Sequence, residues 1–208
     1  MPFSGAYRLP RAGAPSDRGL NLGTSSWRRI DDTMMPARGK LVGAYVNSAL
    51  IRSEAITGGY DDAVVLTQDG HVSELSGANI FMIRDGVLIT PPITDNVLEG
   101  ITRRSIIELA REELGVVVVE RSVDRSELYL ADEIFECGTG AQVTPIGKVD
   151  SRIVGDGMIG PLTKQIQDLF FRVVRGENFD WAEWCARDFL LSVCYPTPCL
   201  RDILSSQV

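Results

Sequence analysis

The sequence predicts a fold of mixed α and β structure, from three observations. Its 208 residues, 44% hydrophobic and 24% charged, are ordinary for one globular domain, or one and a fraction, with a sizeable core. Short apolar runs rich in Val and Ile alternate along the chain with segments whose apolar residues recur every three or four positions. No segment repeats. Strands and helices are therefore interleaved from one end to the other.

Charge, hydropathy and cysteine spacing argue against several kinds of partner and site. A net charge of −7 argues against nucleic acid, because contact with the phosphate backbone needs a basic surface. No apolar run approaches the roughly 20 residues of a membrane span, and the N-terminus lacks the apolar core of a secretory signal. The cysteines, at positions 137, 185, 194 and 199, show neither zinc spacing nor a disulfide framework. We expect a cytoplasmic protein with no nucleic-acid or membrane partner.

The first half of the chain begins with a segment that shows little secondary-structure pattern and continues with clear strand and helix patterns. Residues 1–18 read as a disordered or linker segment, and 19–29 as a strand. Helical periodicity starts at Tyr45 and stops at Gly58-Gly59. Residues 63–67 and 71–74 are predicted to pair as a hairpin.

The second half continues the alternation. A second hairpin joins 79–83 to 87–90 around Arg84-Asp85-Gly86. The clearest helix opens near Gly100 and ends at Gly115, with its apolar residues on one face. Further predictions are a buried strand at 116–119, a short helix at 126–131, strands at 133–137 and 142–149, and an amphipathic helix at 162–174.

Two charged residues, Lys40 and Glu74, are candidates for chemistry. Lys40 lies among small and apolar residues, and a lysine amine can act as a nucleophile toward carbonyls. Glu74 lies just after one predicted strand and just before another. Taken alone, Lys40 reads as a solvated surface lysine, because buried lysines are rare.

Two small-residue turns could hold an anion. Gly100-Ile101-Thr102 places backbone N–H groups and a hydroxyl at a helix N-terminus, although Thr102 alone reads as an N-cap. Gly138-Thr139-Gly140 follows a strand and is readable either as an anion site or as a tight turn. The Gly138-Thr139-Gly140 turn does not extend to a GxGxxG fingerprint, and no GxxxxGK(S/T) motif occurs. His71, the sole histidine, lies in a turn and is read as exposed rather than catalytic.

Together an amine, a carboxylate and two phosphate-binding turns are what pyridoxal 5'-phosphate needs from a protein. The sequence also resembles a known family through ten short segments in a fixed order, among them Gly70-His71-Val72-Ser73-Glu74 and Gly100-Ile101-Thr102-Arg103. The segments are 40–45, 47–50, 54–55, 59–63, 70–74, 79–81, 90–92, 100–103, 131–135 and 138–145. In this order they resemble the branched-chain amino acid aminotransferases, over about residues 19–184.

The resemblance implies a fold and a site. The fold would be the large domain of the fold-type IV, D-amino acid aminotransferase-like enzymes, a β-barrel-like sheet with surrounding helices. Lys40 would carry pyridoxal phosphate as a Schiff base, Glu74 would contact its pyridine nitrogen, and Tyr45 its 3-hydroxyl. The cofactor phosphate would bind the amides of Ile101 and Thr102 and the hydroxyls of Thr102 and Thr139. Thr139 and Gly140 would face the substrate carboxylate, and no metal is implied.

The implied reaction moves an amino group between branched-chain L-amino acids and 2-oxoglutarate, in a homodimer or higher homo-oligomer. D-amino acid transaminase and aminodeoxychorismate lyase, of the same fold, remain alternatives. A catalytically incomplete remnant that binds the cofactor or dimerises is an alternative of another class.

Three departures from the family pattern affect the expected cofactor binding and turnover. Family members carry a small N-terminal domain before the point that matches Gly19, and this chain does not match it. Ala78 stands where many members have glutamate. Residues 186–208 form an atypical tail after a large domain at 19–185. We therefore expect the chain as given to bind cofactor poorly and to lack useful turnover.

Overall fold

The computed structural model of the chain describes residues 19–185, and the chain divides after Phe170 into two compact units. The expectations for residues 1–18 and 186–208 lie outside the described residues. No described helix combines the length and the hydropathy that crossing a membrane requires.

The first unit is built on a curled, half-barrel sheet of nine strands. The strands are β1 (Leu20–Arg28), β2 (Asp62–Leu66), β3 (Val72–Leu75), β4 (Asn79–Arg84), β5 (Val87–Thr90), β6 (Val118–Glu120), β7 (Glu133–Gly138), β8 (Gln142–Val149) and β9 (Arg152–Ile153). Their order is β3-β2-β1-β8-β7-β4-β5-β6, with β9 on β8. Strand β1 pairs in parallel with both β2 and β8, so the first strand of the chain lies beside one of the last. The predicted mixed α and β class and the barrel-like sheet are confirmed.

Three α-helices accompany the sheet: α1 (Tyr45–Thr57), α2 (Ile101–Glu112) and α3 (Pro161–Val174). Short 3-10 helices cover Ala37–Gly39, Val42–Ala44, Ile93–Asp95, Arg125–Leu130 and Phe179–Trp184. Both predicted hairpins form, β2 with β3 and β4 with β5.

The core follows the alternation of side chains along the strands. On β4, Ile80 and Met82 pack into one apolar cluster, while Phe81 and Ile83 pack into another on the opposite face. The second cluster also takes buried side chains from α2 and α3, and in it Phe81 stacks on Phe135 with ring centroids 5.0 Å apart. Helices α2 and α3 thus pack against one face of the sheet.

Two predicted elements differ from the structure, and one strand was not predicted. The strand expected at 116–119 is β6, three residues long and only partly buried, because it lies at the sheet edge and pairs with β5 alone. The short helix expected at 126–131 is a 3-10 helix that starts after a capping box of Asp124 and Glu127. Strand β9 had no sequence prediction.

The second unit is described as far as Cys185. It contains the last turn of α3 and the 3-10 helix Phe179–Trp184, where Trp181 and Trp184 meet edge to face at 4.4 Å between ring centroids. The Arg175 guanidinium lies over the Phe171 ring.

Candidate active site

An open cleft of about 430 Å³ lies in the first unit. Its walls come from the residue after β1, the segment around the first two 3-10 helices, the β3–β4 turn, the start of α2 and the β7–β8 turn. Every site residue expected from the sequence lines it, namely Lys40, Tyr45, Glu74, Ile101, Thr102, Thr139 and Gly140. Segments far apart in the chain therefore converge on one space.

Lys40 stands at the mouth of the cleft in an unusual backbone conformation. It follows the 3-10 helix Ala37–Gly39 with φ 47° and ψ 42°, and its N–H donates to the Ala37 carbonyl at 3.1 Å. A left-handed backbone is uncommon for a residue with a β-carbon, and such strain concentrates at functional sites. Its side chain and that of Tyr45, at the start of α1, are exposed on the cleft wall.

Glu74 forms the polar floor of the cleft and is only 4% exposed. Its Oε1 lies 2.5 Å from Arg29 Nη2, while Oε2 accepts from Asn79 Nδ2 at 2.9 Å and from the Leu98 N–H at 3.0 Å. Burial raises the pKa of this carboxyl, and the Arg29 guanidinium is the strongest of the groups that oppose the rise. A buried carboxyl with three donors is held in one orientation.

Asn79 ties this floor to the start of α2. Its Nδ2 donates to the Leu98 carbonyl at 2.9 Å as well as to Glu74. A β-carbon placed on Gly100 would lie 2.3 Å from Asn79 Oδ1, so the close approach requires glycine there. One side chain thus links the carboxylate to the helix N-terminus.

The N-terminus of α2 is open to the cleft. Gly100 is the N-cap and no side chain caps the helix. The first helical bond runs from the Arg104 N–H to the Gly100 carbonyl, so the N–H groups before it have no helical acceptor. Thr102 is therefore not the N-cap that its sequence alone suggested. It is the second helical residue, 8% exposed, and Ile101 before it is 76% exposed.

The β7–β8 turn supplies another wall of the cleft. Thr139, Gly140 and Ala141 join the strands, and the pairing of Gly138 with Gln142 closes the turn. Thr139 and Gly140 are exposed. The Cys137 thiol also lines the cleft and is free and buried, and burial raises its pKa well above the ordinary value, so it stays neutral.

The rim carries one further charged pair. Arg38 Nε lies 3.3 Å from Glu99 Oε1, with both side chains about half exposed. Exposed pairs of this kind contribute little to stability. Ala78 lines the cleft with a buried methyl group, whereas His71 does not line it and faces Asp124 at 3.1 Å.

Sequence reasoning did not single out Arg29 or assign a role to Asn79. Arg29 follows Arg28, and nothing in the sequence separates them. In the structure Arg28 is exposed while Arg29 is 9% exposed and lines the cleft. Asn79 appeared within a matching segment, but its link to Leu98 depends on a contact across 19 residues.

The sequence of the chain is similar to a family model and to a protein of another organism. The family model for class IV amino-transferases matches residues 5–149. A probable branched-chain-amino-acid aminotransferase of Aquifex aeolicus is 50% identical over 178 residues, which are 86% of this chain and 57% of that protein.

Solved structures of branched-chain amino acid aminotransferases are similar to the chain in both fold and sequence. The branched-chain amino acid aminotransferase of Thermobaculum terrenum in its PLP form superposes with a TM-score of 0.79 at 47% identity, covering 81% of this chain and 55% of that one. The T.th. branched-chain amino acid aminotransferase complexed with N-(5'-phosphopyridoxyl)-L-glutamate gives 0.78 at 40% identity, covering 81% and 56%. The chain thus spans little more than half the length of these relatives.

Proposed function

The chain belongs to the class IV aminotransferase family, and from that premise we propose that its cleft binds pyridoxal 5'-phosphate and transfers amino groups of branched-chain L-amino acids to 2-oxoglutarate. The observation that carries the proposal is the convergence of Lys40, Glu74, the open α2 N-terminus and the Thr139–Gly140 turn on one cleft.

The donor set of the cleft fits this cofactor. An amine faces the space at Lys40, and a buried carboxyl at Glu74 has a guanidinium beside it. Backbone N–H groups without helical acceptors stand at the α2 N-terminus, a ready site for a phosphate. The aldehyde of the cofactor would meet the amine, its ring nitrogen the carboxyl, and its phosphate the backbone N–H groups.

We assign the binding roles accordingly. Glu74 accepts the ring N–H, and Tyr45 Oη hydrogen-bonds the ring hydroxyl. The N–H groups of Ile101 and Thr102 hold the phosphate, helped by the hydroxyls of Thr102 and Thr139. The Thr139 and Gly140 backbone faces the substrate carboxylate. The ring nitrogen would thus meet the negative charge of Glu74, and the negative phosphate would meet N–H donors.

The chain's own residues then move one proton. When bound, pyridoxal phosphate withdraws electrons from the substrate Cα, which makes the Cα proton easier to remove. Lys40 Nζ would accept that proton as a general base. The protonated Nζ would then return it as a general acid. Glu74 remains the anionic partner of the ring nitrogen throughout.

The substrate class rests on the relatives. Both solved neighbours and the Aquifex aeolicus protein carry the branched-chain name, and one neighbour binds a phosphopyridoxyl adduct of L-glutamate. Glutamate is the amino form of 2-oxoglutarate, so the adduct supports that acceptor.

We further propose a homodimer or higher homo-oligomer in the cytoplasm. Support for assembly comes from apolar side chains exposed around the cleft, Val42 at 86%, Val46 at 66% and Ile101 at 76%. Support for a reducing compartment comes from the cysteine spacing and from Cys137 and Cys185, both free thiols.

The test is a single turnover with leucine. The chain, joined to the part of a relative that it does not match, is loaded with pyridoxal phosphate and mixed with L-leucine or D-leucine, and the 2-oxo acid is measured by chromatography. We expect product from L-leucine that depends on Lys40, with none in Lys40→Ala. Lys148→Ala, on an exposed position of β8, is the matched control and should react like the parent. Preference for D-leucine would replace this proposal with the D-amino acid transaminase.

A further inference from the structure

Arg29 and Glu74 form a buried ion pair at the floor of the cleft. Arg29 is the residue after β1, 9% exposed, and its Nη2 lies 2.5 Å from Glu74 Oε1. Its Nε donates to the Asn96 carbonyl at 3.3 Å. A guanidinium with two anchors has little freedom to move.

The remaining contacts of Glu74 leave one direction open. Oε2 takes the Asn79 and Leu98 donors, and Oε1 takes Arg29. An ionised carboxylate has about four lone-pair sites, so one on Oε1 stays free. Since Glu74 lines the cleft, that site is available to a donor bound there.

The surroundings decide whether Glu74 carries its charge. Burial favours the neutral acid, and the Arg29 guanidinium is the strongest opposing group. The Leu98 N–H, Lys40 and Arg103 act in the same direction, and the neutral Cys137 thiol adds no charge. Among these three cationic side chains, Arg29 is the one in direct contact with the carboxyl.

We propose that Arg29 is a positioning residue that keeps Glu74 ionised and turns its free Oε1 lone pair toward a cationic ring N–H in the cleft. The part about the ring rests on the proposed function, whereas the part about the charge of Glu74 does not. Without Arg29, the buried carboxyl would keep its own proton and could no longer hold one on the ring nitrogen.

The first experiment uses the 208-residue chain without cofactor. Glutamate labelled with ¹³C at Cδ reports each carboxyl by NMR across pH, and Glu74→Gln assigns the Glu74 signal. We expect an ionised Glu74 at pH 7 in the parent. In Arg29→Met the titration midpoint should rise by about 1–3 pH units, the range typical of a lost opposite charge.

Two further variants separate charge from shape. Arg29→Lys retains the charge and should give a smaller rise than Arg29→Met. Arg28→Met removes the exposed neighbouring arginine and should leave the midpoint unchanged. An unchanged midpoint in Arg29→Met overturns the proposal. So does a protonated Glu74 at pH 7 in the parent, which decides the matter even if a variant fails to fold.

The second experiment adds pyridoxal phosphate labelled with ¹⁵N in the ring. We expect a protonated ring nitrogen in the parent and in Arg28→Met, and an unprotonated one in Arg29→Met. A ring nitrogen that stays protonated in Arg29→Met overturns the positioning role. A parent that binds no cofactor contradicts the proposed function instead, while the cofactor-free titration still judges Arg29.

Discussion

At the scale of single residues, the site depends on which charges are buried and which are open to water. Glu74 is 4% exposed and held by three donors, whereas Lys40 lies on the exposed wall. The sequence could suggest both residues, because each stands in a segment that resembles the family. It could not suggest Arg29, because burial of one arginine and exposure of its neighbour follow from where β1 ends.

Replacing Glu74 tests its role in the reaction. Glu74→Gln keeps the size of the side chain but removes the negative charge opposite the ring nitrogen. We expect turnover to fall about a hundredfold or more, roughly 3 kcal/mol of barrier. The measurement is the leucine single turnover, with Glu108→Gln on the exposed side of α2 as control. Near-parental turnover in Glu74→Gln would show that another group holds the ring.

A second buried carboxyl, Glu136 on β7, predicts how stability depends on pH. Burial raises its pKa from 4.5 to about 8, Asp62 adds to the rise, and Arg52 opposes it. Between these two values the folded chain keeps a proton that the unfolded chain releases. The free energy of unfolding should therefore fall as pH rises from about 4.5 to about 8 and level off above.

Glu136→Gln should flatten that dependence. At about 1.4 kcal/mol per pKa unit, the parent loses roughly 3–5 kcal/mol across the window relative to the variant. Urea unfolding at pH 5, 7 and 9 measures it, with Glu112→Gln, an exposed residue of α2, as control. Parallel pH profiles for parent and Glu136→Gln would mean that Glu136 is not the proton-binding group.

At the scale of elements, the sequence predicted most of the strands and helices. Helical periodicity found α1, α2 and α3, and apolar runs joined by turn residues found both hairpins, whose strands are almost continuously buried. It overstated β6, since an apolar run of four residues looks buried whether or not a second strand covers it. Apart from the one at Arg125–Leu130, the short 3-10 helices were not predicted, because a single turn has no period to detect.

The start of α2 gives a prediction at this scale. In Gly100→Ala the new methyl group would meet Asn79 Oδ1 and push it away from Leu98 and Glu74. We expect a loss of about 1–3 kcal/mol in the free energy of unfolding and weaker cofactor binding. Unfolding in urea measures the first, and absorbance titration the second.

A double variant isolates the cause. When Asn79→Ala has already removed the amide, the added methyl of Gly100→Ala should cost less than it does in the parent. Equal costs in both backgrounds would show that the helix start, and not its contact with Asn79, responds to the β-carbon.

At the scale of the whole molecule, the cleft is open on the side of Lys40, Tyr45 and Thr139. The chain spans 57% of the Aquifex aeolicus relative. We predict that the 208-residue chain turns over leucine and 2-oxoglutarate much more slowly than a version joined to the part of a relative that it does not match. Water reaching an exposed Lys40 competes with the substrate amine. Comparable turnover from the two proteins would mean that the described cleft suffices.

Whether Lys40 holds the cofactor can be tested directly. The chain contains three lysines, Lys40 in the cleft, Lys148 on β8, and Lys164 on α3 in an ion pair with Asp168. The protein is mixed with an equimolar amount of pyridoxal phosphate, reduced with borohydride, digested and mapped by mass spectrometry. We predict a pyridoxyl group on Lys40 and none in Lys40→Ala. A pyridoxyl group on Lys148 or Lys164 instead, with Lys40 unmodified, would contradict it.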